Sequence, residues 1–162
     1  MKTKNLITAI LLLFAGVFYS CSNEPEKPEI NFPREVDFTE FSLWGTSCRW
    51  VSIYNEDGTF SFVDTLFVIN SDDGLKNHIH CLDENSPKID FLKHTLLRID
   101  GKVTHQLQKI IIRLIQHSEY KYDLNIISYR SDILTGGIGF DAILVPKISN
   151  DAKVVLNVEY RR

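Results

Sequence analysis

The densest run of chemically capable side chains in the sequence is His78-Ile79-His80-Cys81. Imidazoles and thiolates are zinc ligands, and a zinc site needs about three or four of them converging on one point. On a helix, positions two apart point in different directions, and Cys81 has a competing use in a disulfide. The run is therefore read as a helix end with exposed histidines, favourable near the negative end of the helix dipole, and no metal or cofactor is assigned. Asp72-Asp73 and Asp83-Glu84 are carboxylate pairs. Neighbours of this kind suit helix capping and solvated loops, whereas acid–base hydrolysis needs two carboxyls facing each other across a cleft. Thr135-Gly136-Gly137-Ile138-Gly139 has the glycine density of a phosphate cradle. It lacks the G-x-G-x-x-G spacing and precedes a strand instead of opening a helix. A flexible loop or bulge is expected there, with Gly136 and Gly137 as candidate binding positions. Neither G-x-S-x-G nor H-E-x-x-H occurs, so no catalytic residue is assigned and a hydrolase is the least favoured function.

The three cysteines, Cys21, Cys48 and Cys81, divide once the N-terminus is considered. Lys2 and Lys4 give a positive start, and a run over residues 6–18 is apolar except for Thr8 and Gly16. That run is shorter than the roughly 20 residues needed to span a bilayer but suits a signal-peptide core. Small Ser20 precedes Cys21, and here the segment resembles a lipoprotein signal peptide, with Phe18 and Tyr19 in place of the usual Leu-then-small pair. The resemblance implies cleavage before Cys21, lipidation of its thiol and anchoring of the mature chain. One acyl chain anchors only marginally and two or more hold durably. Ser22 stands where an Asp would retain such a protein at the inner membrane, so outer-membrane residence is expected. Glu24, Glu26 and Glu29 alternate with Pro25, Pro28 and Lys27. Prolines deny regular hydrogen bonding and extend the chain, so residues 21–33 are read as a tether. Residues 34–162 are left as one domain, a normal size for one.

Cys48 and Cys81 then remain as a pair, and an oxidising envelope makes a disulfide between them plausible chemistry. By loop-closure arithmetic it would contribute about 3–4 kcal/mol.

The domain reads as β. Residues 50–54 and 59–70 flank Asn55-Glu56-Asp57-Gly58, a hairpin signal. Asn70 and Ser71 cap a short helix of two or three turns, with Leu75 and Ile79 facing the core. Residues 94–99 form a strand turned by Asp100-Gly101, and 103–116 a second, its run Ile110-Ile111-Ile112 arguing against helix. After a turn at 117–119, Tyr120, Tyr122, Leu124 and Ile126 alternate with polar residues as in a half-buried strand. Residues 140–145 and 154–160 make a last pair around Ser149-Asn150-Asp151. About seven strands, mostly hairpin-linked, predict a mainly β (α+β) fold: an antiparallel β-sandwich or half-barrel with one short helix inserted early.

Seven Phe and Trp residues crowd residues 38–67, and most are expected in the core. Trp44, in Phe41-Ser42-Leu43-Trp44-Gly45, sits outside any strand period; core is the favoured placement, an exposed platform for a sugar or protein the other.

The strand ending Val68-Ile69-Asn70-Ser71, the helix after it, Ile89-Asp90-Phe91, two long strands and Ile143-Leu144-Val145-Pro146-Lys147 together resemble a family of uncharacterised Gram-negative envelope lipoproteins. More distantly they resemble the C-terminal domain of PrcB-type protease-complex subunits, over residues 66–160. That family's Gly-Gly-Tyr-type turn is replaced here by Asp100-Gly101-Lys102-Val103, so the resemblance implies a β-rich binding domain and no functional residue is carried over.

The net charge is −3, and −5 once the first twenty residues and their two lysines are removed. Such a surface repels phosphate backbones, so nucleic acid is excluded as a partner. The function expected is a non-enzymatic, outer-membrane-anchored interaction or accessory module meeting another envelope protein. Glycan or small-ligand binding is the alternative.

Overall fold

The structure, a computed structural model, describes residues 30–51, 64–82 and 86–161, with backbone alone at 102–108, 131 and 134–141. The signal segment, Cys21, residues 22–29, the Asp57-Gly58 hairpin and the Asp83-Glu84 pair lie outside the described residues. Among the described residues eight strands and one helix follow in order: β1 (Arg34–Val36), β2 (Thr39–Phe41), β3 (Cys48–Trp50), β4 (Thr65–Ile69), α1 (Asp72–Lys76), β5 (Ile79–Cys81), β6 (His94–Ser118), β7 (Lys121–Pro146) and β8 (Lys153–Arg161).

Two strands dominate. β6 and β7, 25 and 26 residues long, form one antiparallel hairpin turned at Glu119 and Tyr120. Near its open end β4 pairs with β6, Val68 opposite Leu97, and β2 pairs with β7, Glu40 opposite Ile143. Near its closed end β1 pairs with β6, Glu35 opposite Ile115, and β8 with β7, Leu156 opposite Leu124. Each half is thus four strands wide, and both halves share the same two central strands.

Between the halves the register slips repeatedly, from Val103 opposite Gly137 to Lys109 opposite Tyr129. Such bulges bend strands and increase twist. They also change which residues face inward. Leu97, Ile99, Ile143 and Val145 point to the main core from odd positions; Leu114, Leu124 and Ile126 do so from even ones, and all seven belong to one buried cluster. The ribbon therefore folds onto itself around that cluster. Among the described residues the protein is mainly β, a sandwich or half-barrel with one short helix, as the sequence predicts.

The opposite face of the open half is also covered. Leu96, Arg98 and Asp100, even positions of β6, point away from the main core and are buried. Over them lies a small ribbon of β3 and β5 with α1, packed through Leu43, Cys48, Ile69, Leu75 and Ile79.

Three local expectations are corrected. The helix is five residues long. Ser71 caps it, accepting from the Gly74 N–H at 3.0 Å, and Leu75 is buried, but Ile79 belongs to β5. Mid-helix Gly74 weakens propagation, and pairing with β3 claims the backbone from Ile79 onward. Asp100-Gly101 does not turn: Asp100 pairs with Phe140 and Gly101 with Gly139 inside the long hairpin. A continuous partner strand overrides local turn chemistry. At Gly101 a side chain would bring its Cβ to 3.1 Å from Asp64 Oδ1, so glycine there admits a close neighbour. Finally, β8 does not form a hairpin with residues 140–145 but runs parallel to residues 121–129. Ile148 explains the crossover: it is buried, and its N–H donates to Thr95 Oγ1 at 2.9 Å. The Lys153 N–H then reaches the Tyr120 carbonyl at 2.8 Å, in the other half.

Candidate functional site

Beside β2 the two halves leave a groove of about 520 Å³. It is lined by Phe38, Phe41, Leu43 and Trp50, by Ile110, Ile111 and Ile112 of β6, and by Ala142 and Ile143 of β7. Phe38 arrives there because the chain leaves β1 on the closed half for β2 on the open half. Phe41 and Trp50 meet at a tilt, ring centres 5.9 Å apart. The polar contribution to the lining is Glu40 and Ser42. The volume lies within the range of small-molecule sites, roughly 300–1,000 Å³, and the lining mixes apolar side chains with polar surface.

Directly after Ser42 and Leu43 comes Trp44, 95% exposed. The favoured core placement is overturned, and the reason is local. Leu43-Trp44-Gly45-Thr46 is a turn closed by the Thr46 N–H on the Leu43 carbonyl at 3.1 Å. Gly45, third in the turn, has φ +81°, the left-handed value a type II turn requires there and glycine supplies. Trp44, second in the turn, is thrown outward. The turn is held on both sides: the Trp44 N–H donates to Ser42 Oγ at 3.0 Å, and the Cys48 N–H to Thr46 Oγ1 at 3.1 Å. The indole is held in water on a braced turn.

The turn leads into β3, and β3 is fixed twice. Cys48 faces Cys81 across the β3–β5 ribbon, and their sulfurs are bonded. The flanking Leu82 N–H to Ser47 carbonyl and Val51 N–H to His78 carbonyl bonds make Ser47–Leu82 and Val51–His78 hydrogen-bonded pairs. By alternation Cys48–Cys81 is a non-hydrogen-bonded pair, the kind in which Cα atoms approach most closely; here they are 3.9 Å apart.

The second fixing is Arg98, 1% exposed. Its guanidinium forms a two-pronged bond with the Asp100 carboxylate, at 2.8 and 2.7 Å, and donates to the carbonyls of Val51 at 2.7 Å and His78 at 3.1 Å. Its plane lies 5.0 Å from the Trp50 ring centre and 5.4 Å from that of Phe67. One cation therefore ties both strands of the ribbon to the sheet beneath. Burial pushes the Asp100 carboxyl above the ordinary carboxylate range, against the opposing pull of Arg98.

No family model, curated protein or solved structure matches the chain. Function is therefore a matter of these side chains alone.

Of the residues singled out from sequence, the structure exposes Trp44 on the turn that follows Ser42 and Leu43 of the groove lining and pairs Cys48 with Cys81. Gly136 and Gly137 fall within β7, in the irregular stretch where Val103 pairs with Gly137 and His105 with Leu134. The bulge expectation fits them and the loop does not. His78 and His80 flank Ile79 with different surroundings. His78 packs at a tilt against Phe67, ring centres 4.7 Å apart, with the Arg98 guanidinium 3.3 Å from Nδ1; a fixed cation there opposes a metal ion. His80 is exposed on β5 opposite Arg49, and Cys81 is consumed by its disulfide. Among the described residues no group of three or more His, Cys, Asp or Glu is placed to hold a metal. Sequence reasoning missed the groove, Glu40 and the Arg98–Asp100 pair.

Proposed function

We propose that the chain is an outer-membrane lipoprotein whose folded domain is a non-enzymatic interaction module, capturing another envelope protein through Trp44 and the groove beside it. The charged start, short apolar run and Ser20-Cys21 junction support the address. The observation that carries the binding role is Trp44 itself, exposed on a braced turn that directly follows two residues of the groove lining, Ser42 and Leu43. Exposed tryptophans are favoured anchors in protein interfaces, where a few buried aromatics supply most of the affinity. The glycan alternative is weaker on chemistry. A sugar needs many directed hydrogen bonds, whereas the side chains of the groove supply one carboxylate, Glu40, and one hydroxyl, Ser42, which accepts from the Trp44 N–H. The aromatic and isoleucine side chains of the lining suit apolar side chains of a protein.

The test begins with the native chain purified from envelopes, which should start at Cys21 and carry acyl mass there. After crosslinking, the wild-type chain is expected to recover a partner that Trp44→Ala does not. The isolated pair should then bind about thirtyfold more weakly in the variant, the roughly 2 kcal/mol of an aromatic anchor, with an unchanged melting temperature. Equal recovery and equal affinity for both chains would remove Trp44 from the site, and an unacylated mature terminus would remove the address.

A further inference from the structure

β8 is matched one for one with Lys121–Tyr129 of β7, without a bulge, over nine residues. Among the described residues no strand pairs with its other edge. Another strand meets it near its C-terminal end, where Tyr160 Oη donates to Asp64 Oδ1, just before β4. Natural edges of this length are usually closed by bulges, prolines or central charges, because free backbone donors and acceptors invite another strand. The sequence Lys-Val-Val-Leu-Asn-Val-Glu-Tyr-Arg contains neither proline nor glycine, and its charges lie at the ends: Lys153, Glu159 and Arg161.

The pattern of those charges selects a partner. When a strand pairs antiparallel with its own copy, residues directly opposite share a face, so registers that keep both cores on one side are those related by two-residue steps. Centred on Leu156, Lys153 stands opposite Glu159 of the second copy, twice over by symmetry. Val154 then faces Val158 on the core side, and Val155 faces Asn157 on the outer side. Centred on Asn157, the two-residue step sets Lys153 against Arg161; centred on Val155, it loses the Lys–Glu pairs. Opposite charges directly across a ladder stabilise and like charges destabilise it, so one register is preferred.

We infer that β8 is a self-association edge, pairing antiparallel with β8 of a second copy about Leu156 and joining the two closed halves into one continuous sheet. The contact is independent of Trp44, which stands on the turn after β2.

The experiment uses the full-length mature chain in light and heavy isotopic forms, mixed and equilibrated, then treated with a carbodiimide that joins an amine to a carboxylate at contact distance. Within one strand Lys153 and Glu159 are about 20 Å apart, six residues at roughly 3.3 Å each, so a Lys153–Glu159 link reports two chains. The expected result is that link in mixed light–heavy form. By sedimentation, Lys153→Glu and Glu159→Lys should each weaken the dimer at least tenfold, and the double exchange should restore it. Trp44→Ala should leave it unchanged. A chain that stays monomeric, a link found only within single isotopic forms, a dimer indifferent to the single exchanges, or a double exchange that fails to restore it would each overturn the proposal.

Discussion

Arg98 governs its neighbours because a guanidinium carries donors and no acceptor. Its 3.3 Å approach to His78 Nδ1 therefore makes that nitrogen the acceptor and leaves the ring's proton on Nε2. Burial first, and the Arg98 charge second, hold the His78 pKa below the ordinary 6.5. An imidazole depressed in this way binds fewer protons folded than unfolded, so its contribution to stability is complete above about pH 6.5 and is lost as pH falls through the folded value. Asp100 has the opposite sign. Its raised carboxyl contributes below the ordinary 3.8 and loses that contribution as pH rises through the folded value, so a comparison of variants isolates His78 better than the raw profile does. The melting temperature of the wild-type chain should fall from pH 7 to pH 5 more steeply than that of His78→Gln. Parallel profiles would show that the ring carries no linked proton. At this scale the sequence was only partly legible. Leu96-Leu97-Arg98-Ile99-Asp100 reads as a half-buried strand with a polar outer face, and nothing local says that a ribbon covers that face. Trp44 was more legible than its neighbours suggested: glycine directly after it is what a type II turn needs, but the crowd of aromatics argued for core.

The smallest elements depend on cross-links more than on length. β3 and β5 have three residues each, and a two-stranded ribbon of that size is not stable alone in water. Its stability comes from the disulfide on one side and from Arg98 on the other. Cys48 and Cys81 are 33 residues apart, which by loop-closure entropy amounts to about 3–4 kcal/mol, though native strain often lowers the realised value. Replacing both with alanine should cost about 2–4 kcal/mol in chemical denaturation, and adding reductant to the wild-type chain should reproduce the loss. A variant as stable as the parent would mean that Arg98 and the Leu75–Ile79 packing suffice. The pairing of these cysteines was legible by elimination, once Cys21 was set aside for lipid. The short helix was legible in its cap, Ser71 with Asp72 and Asp73, but not in its end. Its last expected contact, Ile79, faces the same core from a strand, and burial alone does not distinguish the two.

At the scale of the molecule, β6 and β7 serve both halves, and that is what the sequence conceals most. Strand alternation is plain at 96–100 and at 122–126, but the phase slips between them, so each stretch reads as a separate strand with its own turn. The Asp-Gly at 100–101 strengthens that impression. Only the pairing of Val103 with Gly137 and Lys109 with Tyr129 shows one ribbon bent in the middle. The consequence is energetic. Neither half can lose its central strands without taking them from the other, and the main core draws Leu97 and Ile143 from one half and Leu114 and Leu124 from the other. Unfolding should therefore be a single transition, in which backbone and aromatic signals coincide. Leu114→Ala in the main core and Leu96→Ala under the ribbon, each removing a fully buried side chain, should cost about 2–5 kcal/mol. Both should shift that one transition as a whole, although the two residues belong to different clusters. If Leu96→Ala instead split the melt, with tryptophan fluorescence changing before the β-sheet circular dichroism, the ribbon would be a separate unit merely stapled to the sheet, and the brace behind the Trp44 turn would be weaker than the Arg98 contacts imply.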